Sequence, residues 1–141
     1  MKARVLIVDN DTQLNKINEK ILLSSGVVSE VHISRSSLEA LQYLIMRDER
    51  GYPLPNVIVM EILLPGMNGF EFADAFARLP ICGKHRIELV AFTSSSNPKD
   101  REKAMAKGFK HFLSKPYLLR GLRDVIAHMR TTDTHVPLAG Y

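Results

Sequence analysis

The chain has 141 residues, of which 45% are hydrophobic and 24% charged, a balance that fits one globular domain and argues against disorder along most of its length. A single cysteine, Cys82, excludes a disulfide framework and a cysteine-rich zinc site. The apolar run after Met1-Lys2-Ala3-Arg4 is only Val5 to Val8, too short for a signal-peptide core or a bilayer span, so a cytoplasmic protein without membrane association is expected.

Five short apolar runs recur: Val5–Val8, Val27–Ile33, Val57–Met60, Glu88–Phe92 and His111–Leu113. The first, third and fourth are nearly continuous in Val, Ile, Leu and Met, the pattern of strands covered on both faces. Helical patterns fall between them. Leu14, Ile17, Ile21 and Leu22 lie on one helical stripe that Gly26 ends. Ser36 and Glu39 are spaced as a capping box before Leu38, Leu41, Leu44 and Ile45, and Asn68 and Glu71 repeat that spacing before Phe72, Phe76 and Leu79. Asn97-Pro98 reads as an N-cap followed by proline at the first helical position, with Gly108 closing that helix. Leu118, Leu122, Val125, Ile126 and Met129 give the last stripe. Arg47 to Asn56 reads as a polar loop, and residues 131–141 as a C-terminal tail with no output domain.

Strand and helix alternate throughout, which predicts an α/β fold over residues 1–130: a doubly wound, five-stranded parallel sheet with right-handed crossovers and helices on both faces, a three-layer sandwich. Asp9, Glu61, Thr93 and Lys115 each sit where an apolar strand run stops. In an open parallel sheet the carboxyl ends of the strands form the ligand-binding edge, so two carboxylates, a hydroxyl and an ammonium are expected to meet there.

Residues 3–130 resemble the receiver domain of two-component response regulators, the CheY-like family with the flavodoxin-like (βα)5 fold. The resemblance is carried by Val5-Leu6-Ile7-Val8-Asp9-Asn10-Asp11, Met60-Glu61-Ile62-Leu63-Leu64-Pro65-Gly66-Met67-Asn68-Gly69, Ala91-Phe92-Thr93-Ser94 and Phe112-Leu113-Ser114-Lys115-Pro116. It implies a phosphoacceptor at position 61, served by a histidine kinase. It implies an acidic pocket at Asp9, Asn10 and Asp11, with magnesium held by Asp9, Asn10, Glu61 and Leu63. Phosphoryl contacts would come from Thr93 and Lys115, with Phe112 as the switch aromatic and a cis peptide before Pro116. Phosphoryl transfer is mostly positioning and charge neutralisation, and a hard cation on oxygen ligands beside a lysine supplies both.

Two positions depart from that pattern. Glu61 stands where the family has aspartate, and Asn10 stands where it has the second carboxylate of the acidic pair. Glutamate is longer by one C–C bond, about 1.5 Å, and places its carboxylate in the space of an incoming phosphoryl group. A misplacement of about 1 Å costs on the order of 100-fold in rate. Asn10 keeps a carbonyl oxygen but removes one negative charge, which weakens the magnesium site. Asp11 is better placed to cap the first helix than to ligate.

Three outcomes stand open at this point: Glu61 imitates phosphoryl charge by pairing with Lys115; the domain is a scaffold locked in one state; or residual magnesium-dependent phosphotransfer survives. The protein is expected to act by protein–protein binding and not as an enzyme. Its partner would be a sensor histidine kinase or a downstream target, met by the face of the fourth helix, fifth strand and fifth helix. Between Ser95 and Arg130 the chain carries nine Lys and Arg against three Asp and Glu, a net of +6 within an overall +4. Acidic protein partners or a homodimer follow from that excess, and nucleic acid is the alternative. His32, His85, His111, His128 and His135 show no metal-binding spacing, and Gly66 and Gly69 are not followed by the Gly-Lys-Ser/Thr of a P-loop.

Overall fold

The apolar runs Val5–Val8, Val57–Met60 and Leu89–Phe92 lie in strands, and the amphipathic stretches between strands fold back as helices. The computed structural model describes residues 2–139, with side chains described through Arg130. In chain order the elements are β1 (Ala3–Val8), α1 (Thr12–Ser24), β2 (Val28–Ser34), α2 (Ser37–Glu49), β3 (Val57–Met60), α3 (Gly69–Arg78), β4 (Glu88–Thr93), α4 (Pro98–Ala106), β5 (His111–Ser114) and α5 (Leu118–Ala139), with a single 3-10 turn at Lys84–Arg86. The side chains of the expected tail, together with His135, lie outside the described residues, although α5 extends through Ala139. Among the described residues no helix is long and apolar enough to cross a membrane.

All four strand pairings are parallel, and the sheet order is β2-β1-β3-β4-β5. Because side chains alternate across a strand, β1 sends Leu6 and Val8 to one face and Val5 and Ile7 to the other. The first face packs against Leu41 and Leu44 of α2, Phe72 and Phe76 of α3, and Ala104 of α4. The second packs against Leu22 of α1 and Leu118, Leu122, Val125, Ile126 and Met129 of α5. Two cores on one sheet give the expected three-layer, doubly wound sandwich. The expected stripe on α5 is its buried face.

Two helices turn differently from their apolar spacing. In α1 the expected stripe is corrected: Ile17 and Ile21 are 55% and 42% exposed, whereas Asn15 and Asn18 are buried beside Leu22. Asn15 tolerates burial because its Nδ2 donates to the Asp9 carbonyl at 2.8 Å. In α2, Leu38 and Ile45 are exposed while Ser37, Ala40, Leu41 and Leu44 are buried. Ser37 donates its hydroxyl to the Met67 carbonyl at 2.7 Å, tying α2 to the loop after β3. Helix α2 also continues to Glu49, so the expected loop from Arg47 begins later.

Caps mostly follow the residue pattern. Asn68 and Glu71 form a reciprocal capping box on α3. Ser36 caps α2 by accepting from Glu39 N–H, but Glu39 accepts from Arg35 N–H in place of the cap residue. Asn97 caps α4 with Pro98 at its first position, and Gly108 ends that segment at a φ of 108°. Of α4 only Ala104 is buried. The helix is held otherwise by the Lys107–Asp74 ion pair at 2.9 Å and by Lys103 Nζ, 4.5 Å from the Phe70 ring centre.

Candidate functional site

The strand order sets β1 beside β3 and β3 beside β4, with β5 at the edge. Asp9 follows the last residue of β1, Glu61 follows the last of β3, Thr93 ends β4, and Lys115 follows the last of β5. Positions separated by most of the chain therefore meet at the carboxyl end of the sheet, where the order reverses between β1 and β3. Backbone bonds fix the registration: Asp9 N–H donates to the Ser34 carbonyl, Glu61 N–H to Val8, and Lys115 N–H to Thr93.

Lys115 joins the two carboxylates. Its Nζ lies 2.7 Å from Asp9 Oδ2 and 2.9 Å from Glu61 Oε1, both charge-assisted distances. Asp9 and Glu61 are 2% and 7% exposed, so the cluster is sequestered from solvent. The remaining carboxylate oxygens are also engaged: Asp9 Oδ1 accepts from Asp11 N–H at 3.1 Å and Glu61 Oε2 from Leu63 N–H at 3.0 Å. Burial works against the lysine's charge, but the hydrogen bonds and charges of Asp9 and Glu61 outweigh it and hold Lys115 above the ordinary lysine range.

The other candidates take different places. Thr93 is fully buried, and its hydroxyl oxygen accepts from Ser95 N–H at 3.2 Å. Asn10 and Asp11 are exposed; Asp11 Oδ1 accepts from Leu14 N–H as the N-cap of α1. Leu63 is exposed as well. Phe112 is half-buried against the core beneath α2, α3 and α4, with the Arg101 guanidinium carbon 6.0 Å from its ring centre. The Lys115–Pro116 peptide is cis. Among the described residues no three His, Cys, Asp or Glu are grouped to hold a metal ion. A surface cavity of ≈ 870 Å³ lies toward the other end of the sheet among Arg4, Asn56, Arg86, Glu88 and Lys110, away from this cluster.

Close packing positions the loop that carries Glu61. A Cβ on Gly69 would stand 2.6 Å from the Ile62 Cα, so the start of α3 approaches this backbone at a distance only glycine permits. Residue spacing did not single out Asn15, which holds the Asp9 carbonyl from α1. A polar residue at a position aligned with Leu22 is the signal that would have found it.

The chain matches the family described as the response regulator receiver domain over residues 5–127. It is 32% identical over 125 residues to the hybrid signal transduction histidine kinase G of Dictyostelium discoideum; the match covers 89% of this chain and 3% of that protein. It is 27% identical to the two-component response regulator ARR17 of Arabidopsis thaliana, covering 91% of this chain and 85% of that one. The crystal structure of a two-component response regulator from Cytophaga hutchinsonii superposes with a TM-score of 0.84 at 27% identity, covering 93% and 99% of the two chains.

Proposed function

The chain belongs to the response regulator receiver domain family of two-component signalling, and on that premise we propose that it is an atypical receiver that works by binding a protein partner, with a permanent ion pair where the family builds an acyl phosphate. One observation carries this reading: Lys115 Nζ sits between Asp9 Oδ2 and Glu61 Oε1, at 2.7 and 2.9 Å. The longer side chain of Glu61 reaches the lysine directly. An ammonium that would otherwise meet an incoming phosphoryl oxygen already has its counter-charge. Attack by Glu61 on a phosphoryl donor would require the carboxylate to leave Lys115 and the Leu63 N–H together.

The same donor set fits magnesium poorly. A hard divalent cation wants several oxygen ligands in near-octahedral array, usually with one or two carboxylates and retained waters. Here both carboxylates share an ammonium, and the other two members of the expected set, the Asn10 side chain and the Leu63 carbonyl, offer uncharged oxygens. Magnesium affinity is therefore reduced, and no step of the proposed function passes through it.

The partner surface is the face of α4, β5 and α5, where the cationic excess lies. Lys99, Arg101, Lys103 and Lys110 are exposed there, and Arg120 and Arg123 on α5 extend the patch. A sensor kinase, an acidic target or a second copy of the chain fits this charge. The test is incubation with acetyl phosphate, and separately with beryllofluoride, each with magnesium. We expect no change in mass and no spectral response. A saturable response abolished by Glu61→Gln overturns the proposal.

A further inference from the structure

A second group of titratable side chains meets at the opposite end of the sheet. Glu88 opens β4 and His111 opens β5. Val90 and Phe92 alternate with Glu88, and Leu113 with His111; all three pack into the core beneath α1 and α5, so Glu88 and His111 face α5. His128 of α5 meets the His111 ring edge-on at 6.3 Å between ring centres. Glu88 Oε2 and His111 Nε2 stand 3.7 Å apart, beyond hydrogen-bond length. Both atoms are buried and neither has a hydrogen-bond partner. Buried polar atoms are seldom left in this condition, and two that face each other share one remedy. An imidazole nitrogen carrying a lone pair repels a carboxylate oxygen; the same nitrogen carrying a proton donates to it.

We propose that His111 and Glu88 form a proton-operated latch: the neutral ring carries its proton on Nδ1 and faces Glu88 with the Nε2 lone pair, and one further proton from solvent makes Nε2 a donor, closes the 3.7 Å gap and ties the starts of β4 and β5 together under α5. The charged and titratable groups facing His111 are Glu88 from β4, His128 from α5 and Lys110 from the turn before β5. Burial lowers the affinity of His111 for a proton most, Glu88 raises it, and His128 and Lys110 lower it, leaving the group below the ordinary histidine range. Lys110 Nζ lies 3.9 Å from Glu88 Oε1, so the second carboxylate oxygen is the one left for His111. The latch is open at neutral pH and closes in acid. Phe112, the next residue of β5, and His128 both belong to the elements of the partner face, so closure alters that face from its underside.

The test is a proton NMR titration of the folded protein, following the His111 and His128 ring protons and the amides of Glu88, Phe112 and Leu113. His111 titrates below pH 6.5, and the Glu88 and Phe112 amides shift with the same midpoint. Glu88→Gln lowers that midpoint by about 0.5–1 unit, and His128→Gln raises it. An unchanged or raised midpoint in Glu88→Gln overturns the latch, as do amides that ignore His111. Should Glu88→Gln fail to fold, His111→Gln decides: the acid-dependent shifts at Glu88 and Phe112 must vanish, and their persistence overturns the proposal. The titration needs neither partner nor phosphoryl donor, so its failure leaves the reading of Glu61 untouched.

Discussion

Substituting Lys115→Met keeps most of the side chain's length and removes its charge, leaving Asp9 and Glu61 at 2% and 7% exposure without their shared ammonium. Breaking a buried pair by deleting one partner costs about 3–5 kcal/mol, because the remaining charge stays desolvated. Lys115 itself is 14% exposed, so solvent screening reduces this only slightly. With a urea m-value of about 2 kcal/mol/M, the unfolding midpoint falls by about 2 M. Glu61→Gln alone removes one charge from the cluster and costs about 1.5–3 kcal/mol, the range for a hydrogen bond to a charged group. In the Lys115→Met background its sign reverses. Two carboxylates that shared one ammonium now repel each other at close range, and neutralising Glu61 relieves this. The double variant is therefore more stable than Lys115→Met. Equilibrium urea unfolding of the four proteins measures the cycle. Additivity within about 0.5 kcal/mol would refute the shared-ammonium arrangement.

Three further outcomes follow from the same geometry. Restoring the family pattern with Glu61→Asp and Asn10→Asp shortens the acceptor by about 1.5 Å and returns one pocket charge, so magnesium binding by calorimetry and acetyl-phosphate labelling by mass spectrometry should both appear. Gly69→Ala puts a Cβ 2.6 Å from the Ile62 backbone and should cost about 1–3 kcal/mol in urea unfolding; an unchanged midpoint would show that the loop after β3 yields freely. On the alkaline side, the pKa of Lys115 is higher folded than unfolded, so its contribution is fully present below the ordinary value of 10.5 and is lost as pH rises through the folded value. On the acid side His111 and His32 act in the opposite sense, both held below 6.5 chiefly by burial. Their contribution is present above 6.5 and is lost as pH falls through the folded values, which thermal melts across pH would record.

The sheet was legible from residue order because β1, β3 and β4 are covered on both faces, and such strands are continuous in apolar residues. The ends of those runs in turn located Asp9, Glu61 and Thr93, and the end of the shorter His111–Leu113 run located Lys115. Helix faces were harder to read. Periodicity assigns burial by hydrophobicity, and α1 buries Asn15 because a backbone carbonyl waits for its amide, while Ile17 and Ile21 turn outward. The reach of one lysine to both carboxylates depends on how far β5 stands from β1 across β3 and β4, which spacing along the chain does not encode. The Glu88–His111 encounter is not legible in residue order for a similar reason: its members open two different strands and look like ordinary polar strand ends until α5 covers them.

Helix α4 has a mechanical consequence of its own. With Ala104 its one buried residue, its anchorage is mainly electrostatic: the Lys107–Asp74 bridge and the Lys103–Phe70 contact. Exposed pairs of this kind contribute roughly 0.2–1 kcal/mol, and at 1 M salt the Debye length shrinks to about 3 Å. Salt should hence accelerate amide hydrogen exchange across Pro98–Ala106 well before it affects Phe72 or Leu44, making this one helix a brake released by ionic strength while the rest of the domain stays shut.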